Sequence, residues 1–166
     1  MAEDQDQPPG VRIESADNED VNALVELWIE LASDQRRHGS HLDAEANRSV
    51  IHQTMLQHVV TETAFLAEED GEIVGFATFE EDTGRYRLDV SRGIIHNIYV
   101  RAGDRGRGIG SELLAAVEAT LQTSGVDVVS LQAMAPNDRA VRFYRRHGYE
   151  PHRIELEKSI SNDPER

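Results

Sequence analysis

No stretch of this chain constrains its fold more than Val100-Arg101-Ala102-Gly103-Asp104-Arg105-Gly106-Arg107-Gly108-Ile109-Gly110-Ser111. An apolar, strand-like run from Gly93 to Val100 leads into it, and Leu113, Leu114, Val117 and Leu121 follow at helical spacing. A strand, a loop with glycines at 103, 106, 108 and 110, and a helix therefore stand in direct succession. Glycine accepts positive φ and lets a ligand approach the backbone closely. The N–H groups of such a loop and of the first helical turn converge at the positive end of the helix dipole, which favours an anion. With Arg105 and Arg107 adding charge, the segment reads as a cradle for a diphosphate.

Spacing narrows the ligand. A Walker-type P-loop needs Gly-x-x-x-x-Gly-Lys-Ser/Thr, and no lysine lies in this stretch. The dinucleotide pattern Gly-x-Gly-x-x-Gly fails because Ser111 stands where the third glycine, counted from Gly106, belongs. The loop also sits in the second half of the chain rather than in a first βαβ unit.

Around this loop the chain reads as one α/β domain over residues 11–160, in the order β-α-α-β-β-β-α-β-α-β. Residues 1–10 are expected to form a disordered acidic tail and 161–166 a frayed end. Val11 to Glu14 is a short strand. Asp17 caps a helix whose apolar positions Val21, Leu24, Val25, Trp28 and Leu31 carry it to about Asp34. After a polar break at 35–41, a second helix from Asp43 is expected to bury Val50, Ile51, Met55 and Val59. Strands at 63–67 and 73–79 flank the Glu69-Asp70-Gly71 turn. Residues 84–89 are a loop or frayed strand end, and Gly93 to Val100 is a central strand. The glycine-loop helix ends near Gly125, and Val128 to Leu131 is expected as a buried strand. Pro136-Asn137-Asp138 opens a last helix stopped by Gly148, and Tyr149 to Lys158 is expected as a final strand. Its edge, 152–158, would offer pairing to a second copy and so a homodimer.

Composition removes whole classes. There is no cysteine, hence no disulfide, thiolate zinc site or cysteine nucleophile. Lys158 is the only lysine among 17 Lys+Arg, which face 31 Asp+Glu for a net charge of −14. Such a chain is poorly suited to nucleic acid, whose affinity rests on cation–phosphate contacts. No apolar run is long enough for a membrane span, and Met1 to Asp6 lacks the features of a signal peptide, so a cytoplasmic protein is expected. His52 and His58 stand six apart and no HExxH occurs, so no metal is expected. One lysine against 31 carboxylates further suggests a salt-adapted cytoplasm.

Two motifs in order give a family resemblance. Arg105-Gly106-Arg107-Gly108-Ile109-Gly110 resembles the Arg/Gln-x-x-Gly-x-Gly/Ala signature of the GCN5-related N-acetyltransferases. Asn137-Asp138-Arg139-Ala140, with Phe143-Tyr144 and Gly148-Tyr149, is similar to that family's Asn-x-x-Ala…Phe-Tyr…Gly-Phe/Tyr segment. The resemblance is strong over about residues 92–150 and extends as element order over 11–91. It implies a mixed, mainly antiparallel sheet with about four helices, whose central strands splay to form a coenzyme A cleft.

The resemblance also implies site residues. Acetyl-CoA would lay its pyrophosphate on N–H groups of Arg105, Gly106, Arg107, Gly108, Ile109, Gly110 and Ser111. Its pantetheine arm would run beside Ile98, Tyr99 and Val100, with a strand bulge opening the cleft, and Asn137 would contact the arm or nearby backbone. Tyr144 would protonate the departing thiolate, or simply pack its helix. Seven arginines (101, 105, 107, 139, 142, 145 and 146) would surround the anionic cofactor.

A base for the amine is open. Strand 93–100 holds no carboxylate, leaving His96, water on Glu80 or Glu81, or an amine already neutral in bulk. His96 is expected on one strand face with Ile94 and Ile98, with Asn97 on the other. The His38–His41 break walls the acceptor side or is a plain solvated loop, and 82–91 is placed over the cleft. Two functions follow: an acetyltransferase acting on a primary amine (a protein N-terminus, lysine, polyamine or small amine), or a CoA-binding or sensing module without turnover.

Overall fold

The computed structural model describes residues 10–163, so the expectations for 1–9 and 164–166 lie outside the described residues. Nine regular elements follow one another: β1 (Val11–Ser15), α1 (Val21–Arg36), α2 (Arg48–Val60), β2 (Ala64–Glu69), β3 (Glu72–Glu81), β4 (Arg92–Val100), α3 (Ile109–Thr123), β5 (Val128–Leu131) and α4 (Asp138–Arg146). The strands form one sheet in the order β1-β2-β3-β4-β5. The first four pair antiparallel and β5 joins β4 in parallel.

Local chemistry explains most of this. Asp17 takes the N–H of Glu19 while Asp20 returns a bond to Asp17 N, a capping box that starts the run into α1. At the β2–β3 turn Asp70 (φ 51°) and Gly71 (φ 81°) both adopt the left-handed conformation that a two-residue hairpin demands. The sheet is covered on both faces. One core packs α1 and α2, through Leu24, Leu27, Trp28 and Met55, on Leu66, Phe76 and Tyr99. The other packs α3, through Leu113, Leu114 and Val117, on Val74, Ala77, Phe79 and Ile95.

Four expectations are corrected. Residues 149–158 form no strand, and Ile154 and Leu156 are 82% and 88% exposed. Gly148 (φ 88°) turns the chain out of α4, Pro151 follows, and 150–158 pairs with no strand among the described residues. A bond from His41 Nε2 to Glu157 at 2.9 Å fastens it instead to the segment after α1. Expected as a buried strand, β5 is only partly covered, because it is the sheet's edge. Val50 lies on the outer face of α2, 60% exposed, whereas Ile51, Met55 and Val59 are buried. The second helix starts later than Asp43, whose side chain instead accepts the N–H of Ala46 ahead of a single 3-10 turn at Glu45–Asn47.

Candidate active site

Past β4 the chain makes one 3-10 turn, Ala102–Asp104, and then the glycine loop. Gly106 (φ 77°) and Gly108 (φ 81°) are left-handed, and Gly108 is the N-cap of α3. From Arg105 through Ser111 no backbone N–H donates to another described residue; the first bond of the helix is Glu112 N to Gly108 O at 3.1 Å. Seven consecutive donors thus lie together at the positive end of α3. A side chain on Gly106 would meet nothing within 4 Å, so the loop is open there. On Gly110 a Cβ would stand 3.3 Å from Phe143, which sets how closely α4 packs on the helix start. Ile109 is 1% exposed and anchors that start in the α3 core.

The arginines of the loop are occupied. Arg105 Nε donates to Val100 O at 2.9 Å, its guanidinium lies 5.4 Å from the centre of the Tyr99 ring, and Nη2 is 3.7 Å from Asp34. Arg107 forks onto Glu69, with Nη1 at 2.9 Å from Oε2, and reaches Asp104 at 3.3 Å. This guanidinium holds the Glu69 carboxyl below the usual carboxylate range. The side chains of Arg105 and Arg107 therefore staple the loop to β4, α1 and the β2–β3 hairpin. What faces outward is backbone. Arg139, Arg142, Arg145 and Arg146 of α4 make no ion pair with another described residue.

The sheet splits next to this loop. The pairing of β4 with β5 runs from Arg92↔Val128 to Ile95↔Leu131 and stops, although β4 continues to Val100. Across β3, Thr78 faces Asn97 and Phe79 faces Ile95, so His96 is an extra residue, a bulge. Such a bulge reverses the alternation of side chains, and the expected face pattern is corrected accordingly. His96 and Asn97 both turn to the α2 side, whereas Ile98 packs with the α3 core. Arg101 N donates to Val74 O at 2.9 Å. By antiparallel alternation, the backbone groups of Ile98 and Val100 face the split and those of Tyr99 face β3. The Tyr99 ring packs on Phe76 in the α1 core, and its hydroxyl is 3.4 Å from Glu30.

At the split lies a narrow cleft of about 30 Å³, walled by Leu31 and Gln35 of α1, Ile95 to Ile98 of β4, Leu131 and Gln132 after β5, and Tyr144 of α4. Tyr144 sits edge-on to Phe143 and Tyr149. Burial pushes its hydroxyl up to about 12, so it keeps its proton through the working range of an enzyme. Asn137 is the N-cap of α4, its Oδ1 accepting Ala140 N at 3.2 Å, and so fixes the helix that carries Tyr144.

A second, polar cavity of about 440 Å³ opens on the α2 side of the bulge. Thr54, Gln57 and His58 of α2 and its C-cap Thr61 line it, with Thr63 from the following turn, Glu80 from β3, and His96 and Asn97 from β4. His96 and Asn97 are walls of both cavities. His96 Nε2 is 3.1 Å from Glu80 Oε1, and Asn97 Nδ2 donates to Thr78 Oγ1 at 2.7 Å. The α2 residues fall at i, i+3, i+4 and i+7, a polar stripe facing inward. Its spacing was readable, but nothing in the sequence says which face of α2 looks in. His41 is engaged by Glu157, and neither it nor residues 82–91 line either cavity. Among the described residues no group of His, Asp and Glu is arranged to hold a metal ion.

His58 is buried against the His96 ring at 5.9 Å and bonds Thr63 Oγ1 at 2.8 Å. Burial and the neighbouring His96 hold its imidazole below the ordinary value, against a weaker opposing pull from Glu80. The unfolded chain then binds this proton more readily, so stability is lost as pH falls through about 6.5. The thermal midpoint is expected to drop between pH 7 and 5, and to drop less in His58→Gln, as calorimetry would measure.

Comparison with known proteins adds the following. A family model described as the acetyltransferase (GNAT) family matches residues 21–149. An L-methionine sulfoximine/L-methionine sulfone acetyltransferase of Pseudomonas paraeruginosa is 25% identical over 135 residues, covering 80% of this chain and 70% of that protein. An aminoalkylphosphonate N-acetyltransferase of Salmonella typhimurium is 27% identical over 160 residues, 96% of this chain and 98% of that protein. Among solved structures, that of a predicted acetyltransferase with acetyl-CoA from Clostridium acetobutylicum superposes with a TM-score of 0.72 at 18% identity. That match covers 90% of this chain and 96% of that chain, and marks a shared fold.

Proposed function

The chain belongs to the acetyltransferase (GNAT) family, and from that premise we propose that it transfers the acetyl group of acetyl-CoA to a primary amine by direct attack. The observation that carries this reading is the run of seven unshared N–H donors beside a sheet that splits at a bulge. Amides of Arg105 to Ser111 hold the diphosphate, and the outward backbone groups of Ile98 and Val100 flank the extended arm. The thioester brings an activated acyl carbon. Everything else is supplied by the chain.

With no cysteine, the chain cannot form an acyl-cysteine, which favours direct transfer. The amine nitrogen bonds to the acyl carbon as the carbon–sulfur bond breaks. His96 accepts the proton that the amine sheds, and Glu80, with Oε1 at 3.1 Å from Nε2, stabilises the imidazolium that forms. Tyr144 gives its hydroxyl proton to the departing sulfur. An N–H of the bulged strand near Ile98 offers a bond to the oxygen that gains charge.

The test is to incubate the protein with acetyl-CoA and a panel of primary amines, and to follow free CoA thiol. Because relatives act on L-methionine sulfoximine and on aminoalkylphosphonates, acid-bearing amines belong in the panel. Amine-dependent thiol release is the expected result. Binding of acetyl-CoA without release on any amine favours the second reading, a CoA-binding module, for which the lack of a carboxylate on β4 speaks. No binding in calorimetry overturns both.

A further inference from the structure

We propose that the polar cavity between α2 and the bulge of β4 is the acceptor site, taking hydrophilic amines that carry further hydroxyl or amino groups and rejecting those that carry a carboxylate or phosphonate. The proposal rests on the transferase reading and adds to it a place and a substrate class.

Place follows from the shared wall. His96 and Asn97 border both the narrow cleft that reaches Tyr144 and the larger cavity. A nucleophile held in the larger space meets the cleft only at these two residues. The cleft, at about 30 Å³, is the far smaller of the two spaces, whereas about 440 Å³ accommodates a small molecule.

Class follows from the lining. The walls offer hydroxyls from Thr54, Thr61 and Thr63, an amide from Gln57, and one carboxylate, Glu80. Hydroxyl and amide groups satisfy the hydrogen bonds of a polyol or polyamine, and Glu80 attracts a cationic amine. The lining contains no arginine or lysine. Of its two histidines, His58 is buried, which disfavours its charged form. A carboxylate or phosphonate entering here would leave its solvation without gaining a cation, and would face Glu80. The bulge produces this arrangement: without the extra residue, His96 and Asn97 would lie on opposite faces of β4.

Matched amines make the test. Thiol release is measured with 2-amino-1,3-propanediol against serine, and with spermidine against 2-aminoethylphosphonate. Each acid-free amine is expected to show kcat/KM about 10-fold or more above its partner, a difference that one unpaired charge readily produces. Gln57→Arg is expected to shift the ratio about 10-fold toward serine, with the acetyl-CoA dissociation constant unchanged. Independently of turnover, 2-amino-1,3-propanediol is expected to move the imidazole NMR signals of His58 and His96, assigned with His58→Gln and His96→Gln, and serine is not. Equal or better use of serine, or an unshifted ratio in Gln57→Arg, overturns this inference and leaves the transferase reading standing. Bound acetyl-CoA with no thiol release on any amine overturns the transferase reading. Imidazole signals that stay still with both amines then overturn the site as well.

Discussion

Gly108→Val is expected to abolish acetyl-CoA binding, with at least about a 100-fold loss of affinity in calorimetry. Gly108 holds φ 81° as the N-cap of α3, in the middle of the seven outward N–H groups. A β-branched residue is strained in the left-handed region by roughly 1–2 kcal/mol. The backbone relaxes by rotating out of it, which re-aims the amides on either side. The added methyls also stand where an anion must come close. Because the loop is stapled by Arg105 to Asp34 and by Arg107 to Glu69 and Asp104, the distortion should stay local. Far-UV circular dichroism should be unchanged and the thermal midpoint lower by only a few degrees. Retained affinity in a folded variant would show that the loop is not the phosphate site.

Tyr144→Phe is expected to do the opposite: kcat falls by about 100-fold or more, with the acetyl-CoA dissociation constant within roughly twofold of wild type. The substitution removes one oxygen from a ring packed against Phe143 and Tyr149, so the wall of the cleft keeps its shape. With its hydroxyl pushed up to about 12, Tyr144 contributes no falling limb to the kcat profile below about pH 11. Stability carries the matching signature. A folded pKa above the ordinary 10 means that the folded state holds the proton longer, so stability is lost as pH rises from 10 through 12. Tyr144→Phe should soften that decline without removing it, because Tyr149 is raised as well, by burial and by Glu118. Equal damage to affinity and turnover in both variants would contradict the division of roles between loop and tyrosine.

What could be read before the structure was what short-range chemistry decides. Asp70-Gly71 dictates its own turn, Asp17 its own cap, and the glycines of 103–110 their loop, because each depends on φ, ψ and nearest neighbours. The bulge could not be read. Nothing in Ile95-His96-Asn97 marks it, since it exists only in the register against β3. The face assignment of Ile98 and Asn97 failed for that reason. The run from Tyr149 to Lys158 has the alternation of a strand, but alternation does not make it pair, and among the described residues it joins neither edge of the sheet. Arginine counting finds charge near the loop, but not that Asp34, Glu69 and Asp104 already engage Arg105 and Arg107.

The bulge has one more consequence, for the traffic of molecules through the enzyme. β4 acts as a partition, with α4 and β5 bounding one compartment and α2 and β3 the other. With donor and acceptor in the sites proposed above, each would approach the same two residues by a different route, so that neither would have to enter or leave through the other's space. That arrangement would let either substrate bind first, and would let the acetylated product depart while spent coenzyme is still seated on the amides of the glycine loop.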